Sequence, residues 1–315
     1  MKRKAMRPKN IDYKKLPYPL WLQPKLDGVR ALNFTGRLTA RTLKEHRNRH
    51  ITAQFSKPEY IGFDGEIAAW EETHWDLCRK TSSACSTEAG EPYVWWHVFD
   101  FVTEQTVNMP YYERYRYLKE RIEYGQACGQ YQNIRLVPYV VVNNYEELQV
   151  QHNIYLSKGY EGSVAYNPNG LHKEGNCSPI NGPVWRIKDF IDFEAEIIGF
   201  TEGEENLNEA QINELGLQYR SSHKENKVPN GMIGNLQCKA LQDVYDLQDE
   251  TRLLIPKDSV FTAAPGFMDH SDRTRYFNNP ELIIDQVGKF KFFPKGLKDK
   301  PRFPQFVTLR SLEDL

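Results

Sequence analysis

The run Lys25-Leu26-Asp27-Gly28-Val29-Arg30 sets an amine, a carboxylate, a glycine and a guanidinium side by side, and Phe63-Asp64-Gly65-Glu66 adds two carboxylates about forty residues later. Such a set could use Lys25 as a nucleophile toward phosphorus. With a free pKa of about 10.4, a lysine amine is unprotonated in roughly one molecule in a thousand at neutral pH, a deficit of about 4 kcal/mol. The site must therefore lower that pKa. Partial burial, the Arg30 cation and a bound divalent metal all act in that direction, whereas Asp27 opposes them. Gly28 permits a tight turn and a close approach of backbone to a phosphate. A Lys-x-Asp-Gly turn is also a common solvated feature between strands, so this segment needs support from the rest of the chain.

The elements that would position these residues change character part-way along. Residues 28–40 and 60–70 alternate apolar and polar positions among turn glycines, as strands do. The aromatic run 94–101 predicts a buried strand. Pro110 opens an amphipathic helix over 111–128, with Tyr115, Leu118 and Ile122 at helical spacing. Further strands over 137–142 and 162–166 and a helix over 145–157 complete an α+β domain. Beyond about residue 190 the strand-like runs 193–200, 232–238, 259–262, 282–293 and 306–309 are joined by polar loops, which predicts a small β-barrel. The polar segment 201–231, acidic first and basic after, reads as an excursion from it.

At 315 residues the chain suits two domains, and its 40% hydrophobic content is ordinary for a soluble protein. No apolar run approaches the roughly 18 residues that span a bilayer. The basic start Met1-Lys2-Arg3-Lys4-Ala5-Met6-Arg7 has no apolar segment after it, so no secretory signal is read and a cytoplasmic protein is expected, in the host cytoplasm if the source is a virus. Five cysteines without a Cys-x-x-Cys pair argue for reduced thiols and against a zinc site.

The net charge of −1 hides an uneven distribution: residues 1–191 carry 26 Lys and Arg against 21 Asp and Glu, and residues 192–315 carry 15 against 21. What matters for a polyanionic partner is local clustering. Lys2, Arg3, Lys4, Arg7 and Lys9 form one cluster. Lys289, Lys291, Lys295, Lys298, Lys300 and Arg302 form another, with Asp299 against them. Charge runs are usually solvated faces, but two of them flanking a phosphorus-directed nucleophile favour nucleic acid.

The ordered set Lys25-Leu26-Asp27-Gly28-Val29-Arg30, Ala40-Arg41-Thr42-Leu43-Lys44, Phe63-Asp64-Gly65-Glu66, Val98-Phe99-Asp100-Phe101, Glu161-Gly162-Ser163-Val164 and Trp185-Arg186-Ile187-Lys188 resembles the covalent nucleotidyltransferase superfamily. The ending Arg302-Phe303-Pro304-Gln305-Phe306-Val307 is similar to that of minimal ATP-dependent DNA ligases of viruses and bacteriophages. The resemblance implies an adenylyltransferase domain of ATP-grasp-like nucleotidyltransferase fold over 1–190 and an OB-fold β-barrel over 191–315. It implies ATP as cosubstrate, Mg²⁺ or Mn²⁺ as metal and nicked double-stranded DNA as partner, in replication, repair or recombination. A monomer without membrane or obligate protein partner is expected.

By the same resemblance Lys25 is the nucleophile that takes up AMP, Glu66 holds the ribose and helps the metal, Phe99 stacks on adenine, and Glu161 is the main metal carboxylate. Arg30 binds the ribose side or the 5′-phosphate of the nick, and Arg41 that phosphate, since a guanidinium grips two phosphate oxygens at once. Lys188 and Arg186 face the α-phosphate, Arg302 orients the leaving pyrophosphate, and Lys289, Lys291 and Lys295 meet DNA. Two positions call for comment. Close relatives usually carry lysine where this chain has Arg186, and a planar fork is not a point charge. Gln23 sits where relatives contact the adenine edge, and its amide both donates and accepts.

Rival readings share the lysine chemistry. A messenger-RNA capping guanylyltransferase also has a barrel, but the Arg302-Phe303-Pro304 ending favours a ligase. An RNA ligase is disfavoured by the barrel-like second half. An NAD⁺-dependent DNA ligase would add an N-terminal domain and a cysteine-rich zinc module. Intact Lys25, Glu66 and Glu161 speak against a non-catalytic DNA-binding protein.

Overall fold

The strand Leu20–Lys25 carries the candidate nucleophile as its last residue, and its buried Leu20 and Leu22 anchor it in a five-stranded sheet. In this computed structural model, which describes residues 3–10, 13–247, 249–297 and 300–310, the strand order is Lys9–Asn10, Val184–Ile187, Gly162–Tyr166, Leu20–Lys25, Val140–Val142. Val140–Val142 covers only Leu20 to Leu22. From Gln23 onward the strand is paired on one side, by Gly162–Tyr166, which leaves an edge where Pro24 lacks a backbone donor. The helix Tyr145–Ser157, started by the Asn144 side chain accepting from Glu147 N, packs on this sheet through Leu148 and Tyr155.

A second sheet, Val29–Asn33, Phe63–Ala68, Trp95–Phe101 and Ile134–Leu136, has its core around Phe63, Trp96, Val98 and Ile67. The helix Tyr111–Ala127 lies against it and inserts Leu118 and Ile122. Between the sheets lie Leu26, Phe99, Tyr111 and Tyr166, with the last two rings stacked 4.1 Å apart. Both sheets belong to one compact unit, residues 1–188.

Residues 189–315 form the second unit. Its antiparallel sheet runs Val260–Ala263, Lys227–Ala240, Ile191–Asn206, Val287–Phe293, Arg302–Leu309, around Phe193, Phe261, Phe290 and Phe292. Irregularities in register near Ile197 and Glu202 bend it. The two edges meet at a single parallel bridge between Ala264 and Gln305, with Ala264 N donating to Pro304 O at 2.9 Å. The expected barrel is thus a curled sheet whose edges touch, not a closed ladder.

Residues 201–206 and 227–231, expected to belong to the excursion from the barrel, are continuations of the two longest strands. Their largely exposed faces hide the alternation that marks a half-buried strand. The excursion proper shrinks to 207–226, which contains the small hairpin Ala210–Ile212 with Gln218–Arg220. Three short helices, Arg49–Phe55, Leu77–Ser86 and His270–Asn278, were not read from the sequence; the second buries Leu77, Thr81 and Cys85 at four-residue spacing, and the last buries none of its residues. Among the described residues no helix is long and apolar enough to cross a membrane. All five cysteines are free of disulfides.

Candidate active site

A cavity of about 440 Å³ opens between the two sheets of the first unit. One wall comes from Gln23, Lys25, Val164 and Arg186 of the first sheet, and the other from Arg30, Glu66 and Phe99 of the second. Arg41 closes one side, and Met6 and Arg7 another. Six motifs scattered from residue 25 to residue 188, together with Gln23, therefore converge on one space or on the residues directly behind it.

Strand ends explain how. Lys25 leaves its strand with the side chain 18% exposed, and its ammonium donates to Glu161. The backbone N of Glu161 returns a hydrogen bond to Lys25 O at 3.0 Å, so the two residues are held by main chain as well as by charge. Lys188 donates to the other oxygen of the same carboxylate. Glu161 and Lys188 do not line the cavity; they sit behind Lys25. Gly28 then brings the chain against the second sheet so tightly that a Cβ there would lie 2.2 Å from Ile67 O and 2.9 Å from Glu66 Cγ. A glycine is required there by the Ile67 carbonyl first, and its close approach also brings it against Glu66.

Burial holds the Lys25 pKa below the ordinary lysine value; Glu66 and Asp27 pull it up, and Arg186 and Arg30 add to the depression. Because Lys188 shares Glu161, that carboxylate does not neutralise Lys25 alone. Arg30 grips Asp64 with Nε at 2.6 Å from Oδ1 and Nη2 at 2.7 Å from Oδ2, and its guanidinium lies 4.6 Å from the Phe99 ring centroid. The ring is therefore covered in part by Arg30, and the pair together forms that wall. Gln23 is buried and its amide nitrogen donates to Val137 O at 3.1 Å, which leaves the amide oxygen as the acceptor. Arg186 Nε donates to Asn10 Oδ1 at 2.7 Å.

The expected DNA and pyrophosphate residues of the second unit are differently placed. Lys289 pairs with Asp192 at 2.6 Å, and Lys291 lies 4.8 Å from the Phe190 ring centroid and 4.4 Å from that of Phe267. Arg302 donates to Lys295 O at 2.9 Å. Lys2, Lys298 and Asp299 lie outside the described residues. Sequence reasoning missed Asp64, Asn10 and Tyr166, and had Arg7 only as part of a charge run; Asp64, inside the Phe63–Glu66 motif, was the one with a signal.

The family profile of the ATP-dependent DNA ligase domain matches residues 4–179, which hold Lys25, Glu66, Phe99 and Glu161. The chain belongs to that family. It is an ATP-dependent ligase. The ligase is similar to the DNA ligase-adenylate of Chlorella virus, at 25% identity over 98% of this chain and 99% of that one, with a TM-score of 0.51. A second structure of that viral protein gives 25% identity and a TM-score of 0.52 over 99% of each chain. Against a Lig E DNA ligase the TM-score is 0.70 at 17% identity, over 98% of this chain and 100% of that one, a likeness of fold alone. No curated protein sequence matches the ligase.

Proposed function

We propose that the ligase seals nicks between a 3′-hydroxyl and a 5′-phosphate in duplex DNA through a lysyl-AMP intermediate. The observation that carries the reading is Lys25 at the wall of a nucleotide-sized cavity, its pKa depressed by burial, with Glu161 and Lys188 behind it and Glu66 across from it. In the first step Lys25 Nζ loses a proton and forms a bond to the α-phosphorus of ATP, and the bond to the pyrophosphate oxygen breaks. The 5′-phosphate of the nick then attacks the adenylyl phosphorus and Lys25 leaves as its amine. Attack of the 3′-hydroxyl on that 5′-phosphorus expels AMP and closes the strand. Each step is phosphoryl-type transfer, so positioning and charge neutralisation dominate.

Residues 1–190 serve as the adenylylating domain and residues 191–315 as the domain that engages DNA. Within the cavity Glu66 meets the ribose, the Phe99–Arg30 wall supports the base and Arg186 neutralises the α-phosphate, while Lys188, held on Glu161 behind Lys25, adds positive charge from outside the lining. The Gln23 amide oxygen suits the exocyclic amine of adenine and would face O6 of guanine with lone pair against lone pair. Arg41 takes the 5′-phosphate, and Arg302 the pyrophosphate. Among the described residues no group of three or more acidic, His or Cys side chains forms a metal cage. Mg²⁺ is held by one or two carboxylates plus substrate phosphates and water; Glu66, which lines the cavity, and Glu161, which holds Lys25 and Lys188 behind it, would be those carboxylates. When bound, the metal would neutralise charge on the phosphates.

The test is incubation with α-labelled ATP, GTP or NAD⁺, followed by a chase with nicked DNA or nicked RNA. Label enters the protein from ATP alone and is discharged by nicked DNA. Labelling from GTP would instead indicate a capping guanylyltransferase, and discharge by nicked RNA alone an RNA ligase.

A further inference from the structure

Tyr160, the residue before Glu161, sends its hydroxyl to Glu72, Oη to Oε1 at 2.5 Å. The second oxygen of Glu72 lies 3.2 Å from Nδ1 of His97. Glu72 lies in the turn after the strand Phe63–Ala68, and His97 lies within Trp95–Phe101 of the sheet that carries Arg30, Glu66 and Phe99, so its contact with His97 anchors Glu72 to that sheet. Tyr160 leads into Gly162–Tyr166, the neighbour of Lys25 in the other sheet. Glu72 thereby ties together the two sheets that each supply half of the site.

Three further observations bear on the strength of this tie. The chain after Glu72 presses on the turn before Tyr160: Gly159 has φ +90° and a Cβ there would lie 2.9 Å from Thr73 O. The hydrogen bond from His97, with that from Tyr160, outweighs burial and holds the Glu72 carboxyl down at about 2, so it is ionised at neutral pH and both hydrogen bonds are charge-assisted. The third is a cavity of about 280 Å³ lined by Glu72, His97 and Tyr160 together with Pro24 and Leu26, the neighbours of Lys25 on either side. The His97 ring is 2% exposed, and its Nε2 has no hydrogen-bond partner among the described residues. Behind the nucleophile the two sheets are therefore joined by hydrogen bonds beside a cavity as well as by the close approach at Gly159.

We propose that Glu72 is a positioning residue: by holding Tyr160 it fixes Glu161, and through Glu161 the amine of Lys25, relative to Glu66 and Arg30 across the site. Glu72 touches no substrate. The inference rests on the nucleotidyl-transfer reading of Lys25 given above. Misplacement of a nucleophile by a fraction of an ångström lowers the maximal rate more than it lowers substrate affinity.

The experiment measures single-turnover lysyl-AMP formation from α-labelled ATP on the full chain, with Tm determined on each variant. The variants are Tyr160→Phe, Glu72→Ala, Glu72→Gln and the double Tyr160→Phe/Glu72→Ala. The two lesions each slow the reaction at saturating ATP about tenfold while KM for ATP stays within about twofold, and the double variant is no slower than its worse parent. Glu72→Gln, whose amide oxygen still accepts from Tyr160, recovers part of the rate. Tyr160→Phe keeps the ring and its packing, so it answers the question even if Glu72→Ala folds poorly. Wild-type rates in the single variants, rate losses that multiply in the double, or losses that follow Tm alone would overturn the tie. A wild-type chain that takes no label would overturn the ligase reading and this inference with it, whereas a labelled wild type with unaffected variants would sink the tie alone.

Discussion

Lys25 and Lys188 share one carboxylate: each donates to a different oxygen of Glu161, whose side chain is 6% exposed. Glu161 can therefore orient the Lys25 amine without cancelling its charge fully. Lys25→Ala should abolish lysyl-AMP formation and overall sealing, because among the described residues that line the cavity Lys25 is the one lysine. It should still join a nick that is already adenylylated, which needs no lysine adduct. Label on the Lys25→Ala protein would show that the nucleophile is elsewhere.

The depressed Lys25 pKa fixes the sign of a pH effect. The reactive form is the free amine, so the rate of lysyl-AMP formation rises with pH and levels off above the pKa of Lys25. Since burial lowers that pKa, the plateau begins below the ordinary lysine value of 10.5. A profile of the single-turnover rate that is still climbing at pH 10.5 would contradict the depressed pKa.

Gly28→Ala tests the fit between the sheets. A Cβ at this position meets Ile67 O at 2.2 Å and Glu66 Cγ at 2.9 Å, so the backbone must move, and the neighbouring Glu66 with it. Adenylylation should fall by about tenfold to a hundredfold with a loss of stability of about 1–3 kcal/mol. An alanine variant with unchanged adenylylation would mean that the position of Glu66 is not critical.

Arg114 and Asp100 form a fully buried bidentate pair, Nε to Oδ1 at 2.8 Å and Nη2 to Oδ2 at 3.0 Å. Burial alone would raise the Asp100 pKa, but Arg114, with help from His172, brings it below the usual carboxylate range. The pair's stabilisation is therefore present above the ordinary carboxylate pKa and lost as pH falls through the lowered one. Arg114→Leu leaves the charge buried without its partner and should cost about 3–5 kcal/mol near pH 7 by denaturant unfolding. The penalty should shrink in acid, where Asp100 of the variant takes up a proton. A cost that does not change with pH would assign the loss to packing.

The excursion of the second unit offers a test on the DNA side. Asn206 and Lys227 are register partners at the ends of the two long strands, so residues 207–226 can be replaced by a short turn without disturbing the sheet. We expect this deletion to weaken binding to nicked duplex at least tenfold while lysyl-AMP formation stays within about twofold. Equal nick affinity in gel shift or anisotropy would rule out a clamping role. Loss of both activities, together with a lowered Tm, would indicate damage to the fold.

The sequence by itself determined the nucleophile motif, the order of the six motifs and the change from mixed elements to strands near residue 190. Those signals are local: a lysine before a turn glycine, aromatic strands, a proline-opened helix, alternation around Phe290 and Phe292. It determined less about the partners of the charges. That Arg30 is gripped by Asp64, that Lys25 and Lys188 meet at Glu161, and that Lys289 is paired with Asp192 are contacts between strands far apart in the chain. Their formation depends on register, and register is set by the burial of whole strand faces and not by the charged residues themselves. The incompletely closed sheet and the polar tie at Glu72 belong to the same class. Composition told which charges were present, and only the tertiary structure decided which of them face the cavity and which are already paired.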